Sequence, residues 1–408
     1  MSLKLLLISV DGTLCRNGKL NQAIVKNVAR LVQELAQSGV RAALWSNQKW
    51  TFAGVPLGQY SSNLCGFDVK VHGISNDGCP NRTQRNSADR ILQSYGVTRQ
   101  ETLLVGSSEN DVRAGVNNKL LLIRADWYGQ QVDYGFRVTT VSELARFCFV
   151  FATRAHPIFW KLTTPSGVDM SAGGPFSTMI PAYAAFGGDA RAFAKHGAGH
   201  PDFWFQFTIS SLYFSGLLDG VHYICSFPSH NPANAVADER GIGDALMRLG
   251  QCFQISYYED LLVRHTLAQK NQPIRAHLRT FANQLHTIRL NRRPTRNRCG
   301  QPNKTDLSLR GKMVLIVDDF CTSGRSVEAA RAYIQAAGGT VRIYAWLKTI
   351  NTSYQEMAAI GGLKPYGPNL NRGEPPSIPH NYYAGILDQQ APQEIDNIFN
   401  RYTGWNWP

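Results

Sequence analysis

No two of the eight cysteines are spaced as Cys-x-x-Cys; they stand singly at positions 15, 65, 79, 148, 225, 252, 299 and 321. That scatter argues against a cysteine-paired zinc ribbon and against a disulfide frame, and fits the reduced thiols of a cytoplasmic protein. No apolar run approaches the ~18 residues that span a bilayer, so no membrane partner is expected. The chain opens Met1-Ser2-Leu3-Lys4-Leu5 and runs directly into an apolar stretch. No signal peptide with a separate cleavage site is expected there. Internal repeats are lacking too. Acids are the scarcer charge, 29 against 42 Lys and Arg, which leaves a net charge of +13. A basic balance of this kind favours anionic partners such as nucleotides, pyrophosphate or nucleic acid.

With 43% hydrophobic and 17% charged residues the chain reads as globular. Its 408 residues suggest two or three domains. One stretch stands out, Lys312-Met313-Val314-Leu315-Ile316-Val317-Asp318-Asp319-Phe320-Cys321-Thr322-Ser323-Gly324-Arg325-Ser326. It opens as the β-branched apolar run of a buried parallel strand. Two adjacent carboxylates end that run, a turn of small residues follows, and a helix is expected from Ser326. Backbone N–H groups of such a turn and helix start can converge on one phosphate. Asp318 and Asp319 would repel the phosphate itself, so their natural partners are hydroxyls beside it. A sugar phosphate meets both requirements.

This stretch resembles the phosphoribosyl-pyrophosphate motif of type I phosphoribosyltransferases. The resemblance implies that Asp318 and Asp319 hold ribose hydroxyls, and with them Mg²⁺ indirectly through the ligand. Thr322, Ser323, Gly324, Arg325 and Ser326 would form the 5′-phosphate loop. Upstream, Tyr183–Gly197 and the strand His222–Cys225 with its turn Ser226-Phe227-Pro228-Ser229-His230 resemble segments of ComF-type members. There Lys195, with Arg191 second, would reach the active site, and Ser226 and Ser229 would face pyrophosphate. Arg240-Gly241 follows at a suitable distance, and Arg264-His265-Thr266 with Gln269 and Arg279–Asn283 echo the basic hood of such enzymes. Arg264 and Arg279 are therefore candidates for the pyrophosphate side. The first Pro of the family's Pro-Val-Pro turn is replaced near Ser226. Thr322 stands where enzymes for 6-oxopurines usually carry Asp, which argues against purine salvage.

Residues 1–150 alternate strand and helix: strands at Lys4–Val10, Arg41–Trp45, Thr102–Val105 and Leu120–Ile123, with helices at Ile24–Leu35, near Thr83–Tyr95 and at Glu109–Asn117. Repeated βα units imply an open parallel sheet with sites at the carboxyl ends of its strands. Those ends resemble the haloacid-dehalogenase (HAD) phosphatases. In Ser9-Val10-Asp11-Gly12-Thr13-Leu14 the second acid, Asp11, is present, but Ser9 stands at the nucleophile. Ser46 matches the second motif. Cys79-Pro80 stands where the third needs Lys. Gly106-Ser107-Ser108-Glu109-Asn110-Asp111 keeps Asp111 and loses the acid at Ser107. A serine phosphate is a more stable ester than an acyl phosphate, and Mg²⁺ needs carboxylate oxygens. The resemblance therefore implies a degenerate domain that does not turn over phosphoesters and could dock a protein partner.

The expected architecture is α/β: an HAD-like domain over 1–150 and a phosphoribosyltransferase-like domain over 151–360, each an open mainly parallel sheet flanked by helices. An irregular, aromatic, Pro- and Asn-rich arm follows over 361–408. Aromatics in 151–220, such as Phe203-Trp204-Phe205, read as core. The basic stretch 289–304 (Arg289, Arg292, Arg293, Arg296, Arg298, Lys304) reads as a loop, with nucleic acid or pyrophosphate as candidate partners; it lacks interleaved aromatics for stacking. Two functional expectations stand. The first is Mg²⁺-dependent displacement of pyrophosphate from phosphoribosyl pyrophosphate or a related nucleotide. The second is a non-catalytic nucleotide-sensing or effector subunit, for instance in a prokaryotic defence or nucleic-acid complex.

Overall fold

The apolar run Leu5-Leu6-Leu7-Ile8 suits a strand with both faces covered. In the computed structural model these residues are at most 1% exposed. The structure describes residues 1–408 apart from 53, 130–132, 178, 230–241, 268–279, 371–372 and 408. The first sheet is built from β1 (Leu5–Ser9), β2 (Arg41–Trp45), β3 (Val71–His72), β4 (Thr102–Gly106), β5 (Leu121–Ala125) and β6 (Phe136–Val138), in the order β6-β5-β4-β1-β2-β3. All its pairings are parallel. Helix α1 (Gln22–Gln37) lays Val25, Val28, Leu31, Val32 and Leu35 on one face, and Asn21 caps it by accepting from the Ile24 N–H at 3.2 Å. Helix α2 spans Asp89–Tyr95, shorter than the expected Thr83–Tyr95, because the preceding residues form turns. Helix α3 spans Glu109–Asn118.

The second sheet takes β7 (Trp160–Thr163), β8 (Asp169–Phe176), β9 (Tyr223–Ser226), β10 (Ser256–Tyr257), β11 (Met313–Cys321), β12 (Thr340–Thr349) and β13 (Ile386–Leu387), in the order β10-β9-β11-β12-β8-β7-β13. Strands β10 to β8 in that order run parallel, and β7 pairs antiparallel with both neighbours. The centre is β11, with Val314 to Val317 at most 1% exposed. The chain is thus an α/β protein with two mainly parallel sheets flanked by helices. The hairpin β7–β8 lies in the aromatic stretch 151–220, where no strand was expected.

The two sheets share apolar packing. One buried cluster joins Leu6 and Leu31 of the first half to Phe203, Phe207 and Ile395 of the second. Helix α4 (Gly243–Phe253) packs on α3 and β5. The Tyr213 hydroxyl donates to the Thr102 carbonyl at 2.7 Å. The expected irregular arm contains a helix, α5 (Ala391–Thr403), that buries Ile395, Ile398 and Phe399. Beyond it, Trp407 Nε1 donates to Glu34 Oε2 at 2.7 Å. The arm therefore ties its own sheet to α1.

We predict that Tyr213→Phe, which leaves the Thr102 carbonyl without this donor, costs about 1–3 kcal/mol. Calorimetry should show the thermal midpoint falling by roughly 2–4 °C; an unchanged midpoint would show that this hydrogen bond does not hold the halves together.

Candidate functional site

Strand β11 does not stop at the acid pair. It pairs with β12 through Asp318↔Ala345 and on to Cys321↔Lys348. The pair therefore sits on rigid ladder rather than at a frayed end. Both side chains are half-buried. Asp318 Oδ1 accepts from the Asp319 N–H at 3.0 Å, and Asp319 Oδ1 from the Phe320 N–H at 2.7 Å. Burial pushes the Asp318 carboxyl well above the usual range, and the neighbouring Asp319 charge pushes it further. Burial raises Asp319 too, opposed by its hydrogen bonds and by the Lys195 ammonium. Lys195 is exposed in the last turn of α6 (Ala184–His196). That helix is docked by Phe193, whose ring stacks on Trp346 of β12 with centroids 5.4 Å apart. The structure thus brings Lys195 into the field of the acid pair.

The turn after β11 is held from behind. Gly324 has φ 76°, and a Cβ there would lie 2.2 Å from the Tyr354 ring, so only Gly fits. Tyr354 is fixed in turn by donating to Glu328 Oε1 at 2.6 Å. Glu328 is fully buried in helix α7 (Arg325–Ala336) and also pairs with Arg331 at 2.6 Å. The Gln355 N–H donates to the Ser323 carbonyl at 2.9 Å. Arg325 Nη1 donates to Ser323 Oγ at 3.2 Å, and Ser326 is half-buried in the first turn of α7. The Thr322 carbonyl accepts from Lys348 Nζ at 2.6 Å and from Thr352 Oγ1 at 2.9 Å. Lys348 is fully buried at the end of β12, and burial pulls its ammonium down to about 8. Lys348 was missed in the sequence; its signal was a lone cation closing an apolar strand.

Ser226 stands beside Val317 in the ladder, with its hydroxyl 3.4 Å from that of Tyr257. Ser229 is exposed. Arg264 is not an exposed cation. It is 8% exposed and donates to the Ser229 carbonyl at 2.6 Å and to Gln284 Oε1 at 3.0 Å. It thus braces the turn that carries Ser229. Arg240, Gly241, Gln269 and Arg279 lie outside the described residues. In the basic stretch, Arg292 and Arg293 pair with Asp306 at 3.3 and 3.0 Å, and Arg298 with Glu259 at 2.7 Å. Part of its charge is therefore neutralised within the chain.

At the carboxyl end of the first sheet a buried guanidinium meets Ser9 and Asp111. Arg82, three residues beyond Cys79, is 5% exposed. Its Nη1 donates to Ser9 Oγ at 2.6 Å and lies 2.8 Å from Asp111 Oδ1. The other Asp111 oxygen accepts from the N–H groups of Ser107 and Ser108 at 2.9 and 2.8 Å. Ser46 Oγ accepts from Trp50 Nε1 at 2.8 Å, and Asp11 is exposed. A fixed guanidinium thus occupies the position between Ser9 and Asp111. These donors do not fit a resident Mg²⁺, because the dication would meet that positive charge.

A cleft of about 660 Å³ at the seam of the halves is lined by Arg99, Lys119, Tyr213 and Asp219 among others, and by none of the candidate site residues. No family model matches the chain. No curated protein matches it either. Among solved structures, a protein of Lactobacillus delbrueckii subsp. bulgaricus, provisionally described as a phosphoglycolate phosphatase, is similar at 19% identity and TM-score 0.23, over 29% of this chain and 51% of that one. This chain thus spans about half the length of that neighbour. The cobalt-bound deoxy-D-mannose-octulosonate 8-phosphate phosphatase of Haemophilus influenzae is similar at 13% identity and TM-score 0.26, over 36% of this chain and 87% of that one. The UMP synthase of Leishmania donovani is similar at 13% identity and TM-score 0.21, over 85% and 86% of the two chains. Scores this low leave the functional reading to the sites themselves.

Two predictions follow the two sites. A carboxyl whose folded pKa is raised above its unfolded value of about 3.9 makes stability fall as pH rises from there towards the folded value. Asp318→Asn should therefore raise the thermal midpoint at neutral pH by roughly 1 kcal/mol in stability terms, and the gain should vanish below about pH 4. A midpoint lowered at neutral pH would contradict this. At the other site, Arg82→Met leaves Asp111 buried and unpaired and should cost about 3–5 kcal/mol. Adding Asp111→Asn should recover part of that loss in denaturant unfolding; simple additivity would show that the pair is not coupled.

Proposed function

We propose that the second sheet binds phosphoribosyl pyrophosphate, or a related nucleotide, and displaces its pyrophosphate in a phosphoribosyltransferase reaction. The observation that supports this is the acid pair held on the ladder of the central strand directly before the small-residue turn and the start of α7. In this reading Asp318 and Asp319 accept hydrogen bonds from the ribose hydroxyls. Ser323, Gly324, Arg325 and Ser326 surround the 5′-phosphate, with Thr322 anchored behind them by Lys348. Lys195 stands on the side where the departing pyrophosphate gathers negative charge. The acid pair alone does not make a metal cage, so Mg²⁺ would be held through the ligand's own oxygens and would supply charge against the pyrophosphate.

A second reading has its own support. Arg264 is committed to bracing the Ser229 turn, and the turn lacks its first proline. Pyrophosphate therefore has fewer contacts than in a ComF-like enzyme, and a non-catalytic nucleotide sensor would look the same. The first half, with Arg82 between Ser9 and Asp111, then serves as a docking surface for a protein partner.

Incubation with phosphoribosyl pyrophosphate, Mg²⁺ and a panel of bases, following pyrophosphate, separates these readings. We expect Mg²⁺-dependent release that falls about 100-fold or more in the Asp318→Asn/Asp319→Asn variant, since each charge-assisted hydrogen bond is worth about 1.5–3 kcal/mol. Binding without release with every base supports the sensor. Neither binding nor release refutes both.

A further inference from the structure

The turn that delivers Arg82 begins at the end of β3 with His72 and passes through Asp77 and Cys79. We propose that these three residues form a transition-metal site of the zinc class, which staples this turn. Each offers one donor atom, and the three atoms lie within 4.8 Å of one another. His72 Nδ1 is 2.6 Å from Asp77 Oδ2, and Cys79 Sγ is 3.3 Å from the same oxygen. Imidazole, thiolate and carboxylate together match Zn²⁺ and its neighbours, not Mg²⁺ or Ca²⁺, which take oxygen ligands.

The surroundings hold the donors in place. Asp77 Oδ1 accepts from the N–H groups of Gly73 and Cys79 at 3.0 and 3.2 Å, which leaves Oδ2 turned to His72 and Cys79. The outer nitrogen of His72 lies 3.4 Å from the Tyr95 hydroxyl, the kind of contact that orients a ligating imidazole. His72 and Cys79 are 6% and 2% exposed, so two ligands are already buried. The Asp77 side leaves an edge open for a fourth ligand from solvent. Gly73, at φ 142°, lets the chain turn against the Ser46 carbonyl, which a Cβ would approach to 1.9 Å. A tetrahedral ion with bonds of about 2.0–2.3 Å sets its donors roughly 3.3–3.6 Å apart. The Cys79–Asp77 distance fits already, and the His72–Asp77 distance needs to open by about 0.7 Å.

The ion would fix the turn three residues before Arg82, whose N–H also donates to Asn47 Oδ1 at 3.2 Å. Metal and guanidinium would then organise neighbouring parts of the same sheet end.

The test is titration of the untagged, metal-stripped full chain with Co²⁺, reading the near-ultraviolet thiolate-to-cobalt charge-transfer band. We expect one equivalent to saturate the band and equimolar Zn²⁺ to remove it. The band should vanish in Cys79→Ser and weaken at least 10-fold in apparent affinity in Asp77→Asn. It should persist in Cys299→Ser, since Cys299 is the exposed cysteine. If Cys79→Ser does not fold, the Asp77→Asn and Cys299→Ser arms decide. No band in the wild type, a band that survives Cys79→Ser, or a band lost only in Cys299→Ser overturns the site.

Discussion

Two adjacent carboxylates partly withdrawn from water set the terms for the second half of this chain. Charge repulsion and desolvation both oppose ionising Asp318 and Asp319 together. The fold holds them in place nonetheless, because they belong to a paired central strand and not to a loop. Everything behind them is rigid: Tyr354 against Gly324, Glu328 behind Tyr354, Lys348 beneath Thr322. Under the proposed function, hydroxyls and a cation arriving with the ligand would relieve the repulsion of this pair on its rigid frame.

The first half solves the same electrostatic problem in the opposite way. Asp111, a buried carboxylate at the end of its sheet, has its counter-ion within the chain, 2.8 Å away on Arg82. That guanidinium also donates to Ser9, so the Asp111 charge is balanced within the chain, while the buried Ser107 hydroxyl has no hydrogen-bond partner among the described residues. One half thus holds two carboxylates side by side, and the other pairs its carboxylate internally. The apolar cluster common to both halves and the Trp407–Glu34 contact fasten them together. A partner that docks on one half would therefore act on a shared body.

Repeating apolar runs made the cores of both sheets legible from sequence, since Leu5–Ile8 and Val314–Val317 are short, apolar and bounded by turn residues. The acid pair and the loop after it were legible because small residues at fixed spacing have a direct physical meaning. Helix α5 was not, although Ala391, Ile395, Ile398 and Phe399 have helical spacing and Pro392 suits a first turn. The Pro- and Gly-rich residues before it masked that pattern. Arg82 and Lys348 escaped for a different reason. Each acts through a partner far along the chain, Arg82 through Ser9 and Asp111, Lys348 through Thr322. The hydrogen bonds by which Arg264 braces the Ser229 turn were hidden for the same reason, since its partners lie 35 and 20 residues away. Cysteine spacing hid the His72, Asp77 and Cys79 cluster, because its donors are of three kinds.

The central claim is that Asp318 and Asp319 hold a ribose phosphate. Calorimetric titration of the full chain with phosphoribosyl pyrophosphate in Mg²⁺, at a series of pH values, tests it most directly. Ionised carboxylates accept hydroxyl hydrogen bonds more strongly than protonated ones, and burial raises both carboxyls. Affinity should therefore climb with pH beyond the ordinary carboxylate range and collapse in the Asp318→Asn/Asp319→Asn variant. Equal binding by wild type and variant, or no heat from either, would contradict it.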